Sequence, residues 1–331
     1  MKLNPIFSDN AVFAANRPIS VFGSGKGYAT IKFNGATVKV NSTEEFWCVE
    51  LPKMKYGGPY TLEFSSETEE KTLHGIYVGE VLLCSGQSNM AFQIKSTNTN
   101  PEYYSETPSA LRYVNIFGKD QPISWTVPDS TNVLDFSALG YIIGKECALR
   151  EGVAVGVICC TMGASAIESW MPENTLSGIG IDIPIEEKFL DHYHEEYGQW
   201  NSDGFLYENR LMRMIPYTLS GVVWYQGESD ASPAEGRVYC RELAELIRIW
   251  RRDFKNENLP FVIVQLADTE SRIALGEGWC LIQKAQTEIS SIVPNVYTVI
   301  SRDVCETDDV HPQSKHALAL RIADVVCEKI I

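Results

Sequence analysis

From Ile76 onward, short apolar runs alternate with amphipathic stretches, and this alternation restricts the fold more than any other property of the chain. The runs fall at residues 81–84, 113–117, 153–160, 221–225, 261–266 and 296–300. Between them the spacing becomes helical. Residues 137–150 lead to Gly152, the residue type that closes a helix in the left-handed conformation. In 235–254, Tyr239, Leu243, Leu246, Ile247, Trp250 and Phe254 recur every three or four positions and define one helix face. Stretches 279–289 and 314–330 complete the set. Strands that alternate with helices predict a mostly parallel sheet covered on both faces. Ligands of such sheets gather beyond the carboxyl ends of the strands. Ser88, Gly163 and Gln226 all fall at such ends.

The front of the chain reads differently. Up to about His74 it offers short β segments at 18–22, 29–33, 37–40, 46–51 and 60–64, separated by glycine-rich turns. Asn34-Gly35 between two of them is a hairpin cue, because both central residues of a type I′ turn need positive φ. No helical period is present. The expectation is a small all-β sandwich or jelly-roll domain over residues 1–74, followed by an α/β domain over 75–331. Residues 171–209 have weak periodicity and many polar and aromatic side chains, which suits an excursion beside the site rather than a core element.

Charge narrows the function. Lysine and arginine total 28 against 43 acids, a net charge of −15, and no basic stripe interrupts it. Such a surface repels polyphosphate, so nucleic acid is not an expected partner. No apolar stretch reaches the roughly 20 residues that span a bilayer, so no membrane is expected either. The first residues show no cationic start followed by an apolar h-region. Nine cysteines without CxxC spacing read as reduced, mostly buried thiols. Both observations give a cytoplasmic expectation. No cofactor or metal is implied: in Asp191-His192-Tyr193-His194-Glu195 the histidines are two apart and lie on different helix faces, which reads as a solvated polar face. Oligomeric state has no signature in the sequence.

Two distant fragments carry chemistry. Ser88, in Gly86-Gln87-Ser88-Asn89-Met90, follows an apolar strand, with Gly86 allowing the turn that presents it. It could be a nucleophile or a helix cap. His311 follows Asp308-Asp309-Val310 and precedes Pro312 and a helix. It could be the base that activates Ser88, oriented by Asp308 or, alternatively, Asp309; it could also sit in a surface capping turn. Gly163 and Gln226, at the ends of other strands, could donate hydrogen bonds to a developing oxyanion together with the Ser88 N–H. Gln87, Asn89, Trp170, Trp224 and Glu228 are the candidate substrate contacts, the tryptophans by stacking on sugar faces, although core packing suits them equally. Glu168 with Glu228 admits a two-carboxylate glycosidase, which no second motif supports.

The blocks GEVLLCSGQSNM, GASAIESWM, GVVWYQGESD and DDVHPQSKHALALRIA resemble, in order, those of the sialate O-acetylesterase-like branch of the SGNH (GDSL-type) hydrolases, close to the acetylxylan-esterase-like carbohydrate esterases. IFSDNAVFAANRPISVFGSG, FNGATVKV and LPKMKYGGPYTLEF are similar to the N-terminal β domain of that family, so the resemblance covers nearly the whole chain. It implies a three-layer α/β/α esterase domain without metal. By position it implies Ser88 as nucleophile, His311 as base and then acid, Asp308 as its orienting partner, and an oxyanion hole of Ser88, Gly163 and Gln226. The implied substrate is an O-acetylated sugar or oligosaccharide: O-acetyl sialic acid, or acetylated xylan or mannan fragments. Arg210 or Arg213 would then offset the acidic surface for an anionic sugar. A non-catalytic carbohydrate-binding role is the other reading. Ala164 and Ser165 depart from the family pattern, where a glycine and a threonine are common, and the middle of the chain is short.

Overall fold

A computed structural model describes residues 1–189, 197–270 and 276–331. The run 191–195 therefore lies outside the described residues.

The front of the chain forms β1 (Lys2–Leu3), β2 (Val12–Ala14), β3 (Ile19–Ser24), β4 (Gly27–Phe33), β5 (Ala36–Ser42), β6 (Phe46–Leu51) and β7 (Gly57–Ser66). The hairpin between β4 and β5 turns on Asn34 and Gly35 with φ of 44° and 81°, as the dipeptide requires. The next strand, β8, runs unbroken over Glu70–Gly86. Its first half pairs antiparallel with β7 and its middle parallel with β2. Its second half becomes a central strand of the parallel array. The boundary expected at 74/75 thus falls inside one continuous strand. Gly79 and Glu80 interrupt the apolar pattern, but pairing with Ala14 of β2 and with Val155 beyond keeps the strand extended there, while Gly75, at φ 68°, marks an irregularity in the register against β7.

The remaining strands are β9 (Leu111–Asn115), β10 (Val155–Thr161), β11 (Gly221–Tyr225), β12 (Phe261–Val264) and β13 (Val296–Val299). They pair in parallel in the order β9–β10–β8–β11–β12–β13. With the antiparallel front strands this makes a mixed sheet accompanied by helices, an α/β protein.

Five helices bear on the site: α1 (Ser88–Ala91), α2 (Ala138–Glu151), α3 (Pro233–Asp253), α4 (Glu277–Ile292) and α5 (Lys315–Lys329). Their ends follow the sequence. Ser137 caps α2 by accepting from the Gly140 N–H at 3.0 Å, and Gly152 closes it at φ 66°. Ser232 and Glu235 form a reciprocal capping box on α3. Helices α2 and α5 pack together, as do α3 and α4.

One apolar core joins the front strands to the rest. Phe7 lies 5.5 Å from Tyr217, whose hydroxyl donates to the Val12 carbonyl at 2.7 Å. The Trp125 indole donates to the Ile6 carbonyl at 3.0 Å. Among the described residues no helix is long and apolar enough to cross a membrane.

Candidate active site

Register places the site. Gly86 lies beside Thr161 on one side and Tyr225 on the other, so β8, β10 and β11 end abreast. The chain leaves β8 toward β10 and β9 on one side and β11 to β13 on the other, the kind of switch point where α/β sheets open a crevice. Gly86 sits at φ 131°, and a Cβ there would come within 2.0 Å of the Tyr225 carbonyl oxygen. Only glycine fits. The Gln87 N–H then donates to that same carbonyl at 3.0 Å, and the chain turns into α1 with Ser88 as its first residue.

His311 arrives from the loop before α5. Its Nε2 lies 2.7 Å from the Ser88 Oγ, across 223 positions of sequence. The structure therefore brings the serine and the histidine together. With Nε2 accepting the hydroxyl proton, the ring proton resides on Nδ1. Burial, then the nearby Lys315 ammonium, lower the His311 pKa from its usual 6.5, with Asp309 opposing them. The imidazole is thereby kept neutral and able to accept a proton near neutral pH.

Asp308 does not reach the imidazole. It is exposed, and the acid facing the ring is Asp309, whose Oδ1 lies 4.0 Å from Nδ1 and accepts from the His311 backbone N–H at 2.9 Å. A distance of 4.0 Å is no hydrogen bond. The loop is tight enough that a carboxylate two residues back closes onto the backbone rather than the ring. Asp309→Ala is expected to lower kcat/KM by no more than about fivefold, the worth of an exposed, solvent-screened carboxylate. Asp308→Ala is expected to leave it unchanged. Parallel kinetics on the two variants check this, and a hundredfold loss in either contradicts it.

Gly163 adjoins Ser88. A Cβ on it would touch only the Ser88 Cβ, at 3.7 Å, and neither its N–H nor that of Ser88 donates to another described residue. Gln226 is a correction. Its side-chain amide is fully buried and donates to the Ser165 carbonyl at 2.8 Å and to the Asp230 carboxylate, while its Oε1 accepts from the Tyr239 hydroxyl at 2.8 Å. A side chain with every hydrogen-bonding group engaged in the core has none to offer an oxyanion. Gln87 has one. Its Oε1 accepts from the N–H groups of Gly227 and Ser229, each at 3.3 Å, leaving Nε2 at the cavity wall without a described partner.

The cavity over Ser88 has a volume of about 480 Å³, within the usual range for a small-molecule site. Its walls include Met162, Gly163, Tyr197, Trp200, Glu228 and His311. Trp170 and Trp224 are a second correction. Both are fully buried and stack edge-on with one another at 5.9 Å, and Trp224 does the same with Trp250 at 5.4 Å. They are core. The accessible aromatics are Tyr197 and Trp200, from the excursion predicted at 171–209, with the Trp200 indole donating to the Gly163 carbonyl at 3.2 Å. No periodicity marks them in the sequence; only membership of a polar, aromatic excursion does.

Asn89 points away from the cavity and belongs to a buried network. Its Nδ2 donates to Glu228 Oε1 at 2.6 Å and to the Val310 carbonyl at 2.9 Å. Glu228 does line the cavity, and its Oε2 is buried without a described partner. Burial raises its pKa above the usual carboxylate value. Glu168, its supposed partner in a glycosidase, is instead paired with Lys188 at 2.6 Å. Arg210 and Arg213 are also committed: the first to the Thr161 carbonyl, the second to the carbonyls of Phe117, Gly118 and Gln121. Three cavities of comparable size, about 500, 680 and 490 Å³, lie against the front strands and contain no such serine–histidine pair.

Comparison with known proteins places the chain among the carbohydrate esterases. Residues 78–328 match the family described as carbohydrate esterase, sialic acid-specific acetylesterase, and the chain belongs to that family. It is 27% identical over 340 residues to a human sialate O-acetylesterase, covering 90% of this chain and 62% of the relative. The mouse sialate O-acetylesterase is 26% identical, with 90% and 65% covered. The chain thus spans a little under two thirds of the length of these relatives. Among solved structures, a carbohydrate acetylesterase from Xanthomonas citri superposes with a TM-score of 0.85 at 26% identity, covering 99% of this chain and 75% of that one. A protein from Arabidopsis thaliana shares the fold at a TM-score of 0.50 and 19% identity, over 76% of this chain and 99% of that one.

Proposed function

We propose that this chain is a carbohydrate O-acetylesterase that works through a serine acyl-enzyme. The observation that carries the proposal is the 2.7 Å contact between Ser88 Oγ and His311 Nε2 at the floor of a cavity at the carboxyl ends of parallel strands. His311 takes the Ser88 proton as Oγ attacks the acetyl carbonyl. The oxyanion is received by the N–H groups of Ser88 and Gly163 and by Gln87 Nε2, each such donor contributing roughly 3 kcal/mol to the transition state. His311 then protonates the departing sugar hydroxyl, and a water activated by the same imidazole releases acetate. Tyr197 and Trp200 offer aromatic faces to a sugar ring.

The proposal includes a three-layer α/β/α catalytic unit braced by an all-β front unit, supported by the separate pairing of α2 with α5 and of α3 with α4. It also includes a cytoplasmic setting, consistent with thiols such as Cys84, Cys159 and Cys160 buried in the sheet, and neither nucleic acid nor membrane as a partner. Neutral acetylated oligosaccharides are the second reading of the substrate. They are favoured by a carboxylate in the cavity wall and by two arginines already bound to backbone carbonyls.

The test is acetate release from a panel containing O-acetyl sialic acid, acetylated xylo-oligosaccharides and acetylated manno-oligosaccharides. Turnover of at least one sugar ester at a kcat/KM in the enzymatic range of about 10⁴ M⁻¹s⁻¹ or more is expected. Activity on simple aryl acetates alone would contradict the carbohydrate assignment.

A further inference from the structure

Lys315, the first residue of α5, has no solvent exposure. Its ammonium donates to Asn89 Oδ1 at 2.6 Å and lies 5.0 Å from the centroid of the Phe92 ring. No carboxylate lies within ion-pairing distance of it among the described residues. A buried cation without a carboxylate in contact is costly, so a chain that keeps one needs a return for it. The geometry supplies one. An ammonium can only donate, so it compels Asn89 to turn Oδ1 toward it and Nδ2 away. Nδ2 then bridges Glu228 and the Val310 carbonyl. Asn89 follows the nucleophile in sequence and Val310 precedes the base, so a single amide fixes the spacing of Ser88 and His311. Phe92 continues the arrangement, lying parallel to the His311 ring at 6.2 Å.

We propose that Lys315 is a positioning residue of the catalytic centre, whose buried ammonium locks the Asn89 amide so that the Ser88 turn and the His311 loop are held in register. The inference rests on the reading of Ser88 and His311 as nucleophile and base. It also has an electrostatic side. The groups facing Lys315 are Tyr225 and Glu228 from β11 and the turn after it, and Cys305, Glu306, Asp309 and His311 from the loop before α5. Burial outweighs the anionic groups among these and lowers the Lys315 pKa from 10.5 to about 8. Below that pH the ammonium is present and disfavours protonation of His311, keeping the base neutral. Above it the ammonium is lost, and with it the constraint on Asn89.

The experiment is the pH dependence of kcat and KM from pH 5 to 10 for the native chain, Lys315→Met and Lys315→Arg, with p-nitrophenyl acetate as substrate. For the native chain kcat is expected to fall as pH rises through about 8. Lys315→Met is expected to lose kcat by about 10- to 100-fold with KM within a few-fold, to lack the alkaline fall, and to show its acid limb at higher pH. Lys315→Arg keeps a cation that does not deprotonate, so it is expected to recover part of the loss and stay active above pH 8. A native kcat flat to pH 10, or a Lys315→Met enzyme with native kcat and native limbs, overturns the inference. If Lys315→Met fails to fold, a Lys315→Arg profile that falls like the native one overturns it. These results are read on activity that Ser88→Ala abolishes. Activity that survives Ser88→Ala overturns the underlying reading instead.

Discussion

Ser88→Ala is expected to lower kcat on an acetyl ester by about 10⁴-fold or more while the protein stays folded. The substitution removes one oxygen from a half-buried first position of a short helix, so little packing is lost. What is lost is the atom that attacks. The residual rate is that of water attacking an ester held among the oxyanion donors. His311→Ala should lose a comparable amount, and the double variant no more than either alone, because nucleophile and base act as one unit. The acid limb follows from the sign of the His311 shift. A base whose pKa is lowered from 6.5 remains unprotonated to more acidic pH, so kcat/KM of the native chain should be half-maximal below pH 6.5. Initial rates across pH, together with circular dichroism of the variants, check all three statements. A Ser88→Ala protein that hydrolyses at the native rate contradicts them.

The second large effect is structural. Gly86→Ala places a methyl where only 2.0 Å separates it from the Tyr225 carbonyl oxygen, on a backbone at φ 131°. Neither neighbour can yield, since the Tyr225 carbonyl also accepts the Gln87 N–H and both strands are central in the sheet. A loss of about 4 kcal/mol is expected, at the upper end for a single substitution. Because the same turn presents Ser88, any folded remainder should be nearly inactive. Denaturant titration measures the first and ester hydrolysis the second. Native stability in Gly86→Ala would show that the turn is not built as described.

Much of this was legible beforehand, for a physical reason. Strand β11 coincides with the apolar run at 221–225, and α2 with the stretch between its capping serine and its closing glycine, because local pattern and tertiary pairing agree there. The local pattern of strand β8 is broken by Gly75, Gly79 and Glu80, and its continuity comes from partners far away in sequence. The serine and histidine were legible because each stands at a turn next to residues that make sense only together. Gln226 and the tryptophans misled for one shared reason. A polar or aromatic side chain at the end of a strand can face the crevice or the core, and the sequence records no direction. For Gln226 the Ser165 carbonyl and the buried Asp230 and Tyr239 decide it. For Trp170 and Trp224 the decision comes from Trp250 on α3. Gln87 is the converse case: what frees its amide nitrogen is the pinning of its oxygen by two backbone N–H groups more than a hundred residues away.

The most direct measurement is a peptide mass map of the protein after reaction with a fluorophosphonate ester. The reagent phosphonylates a serine only where a neighbouring base has activated it. A single adduct on Ser88, absent when His311 is alanine, is the predicted result. An adduct on another residue, or none while acetyl esters are still hydrolysed, would contradict the account.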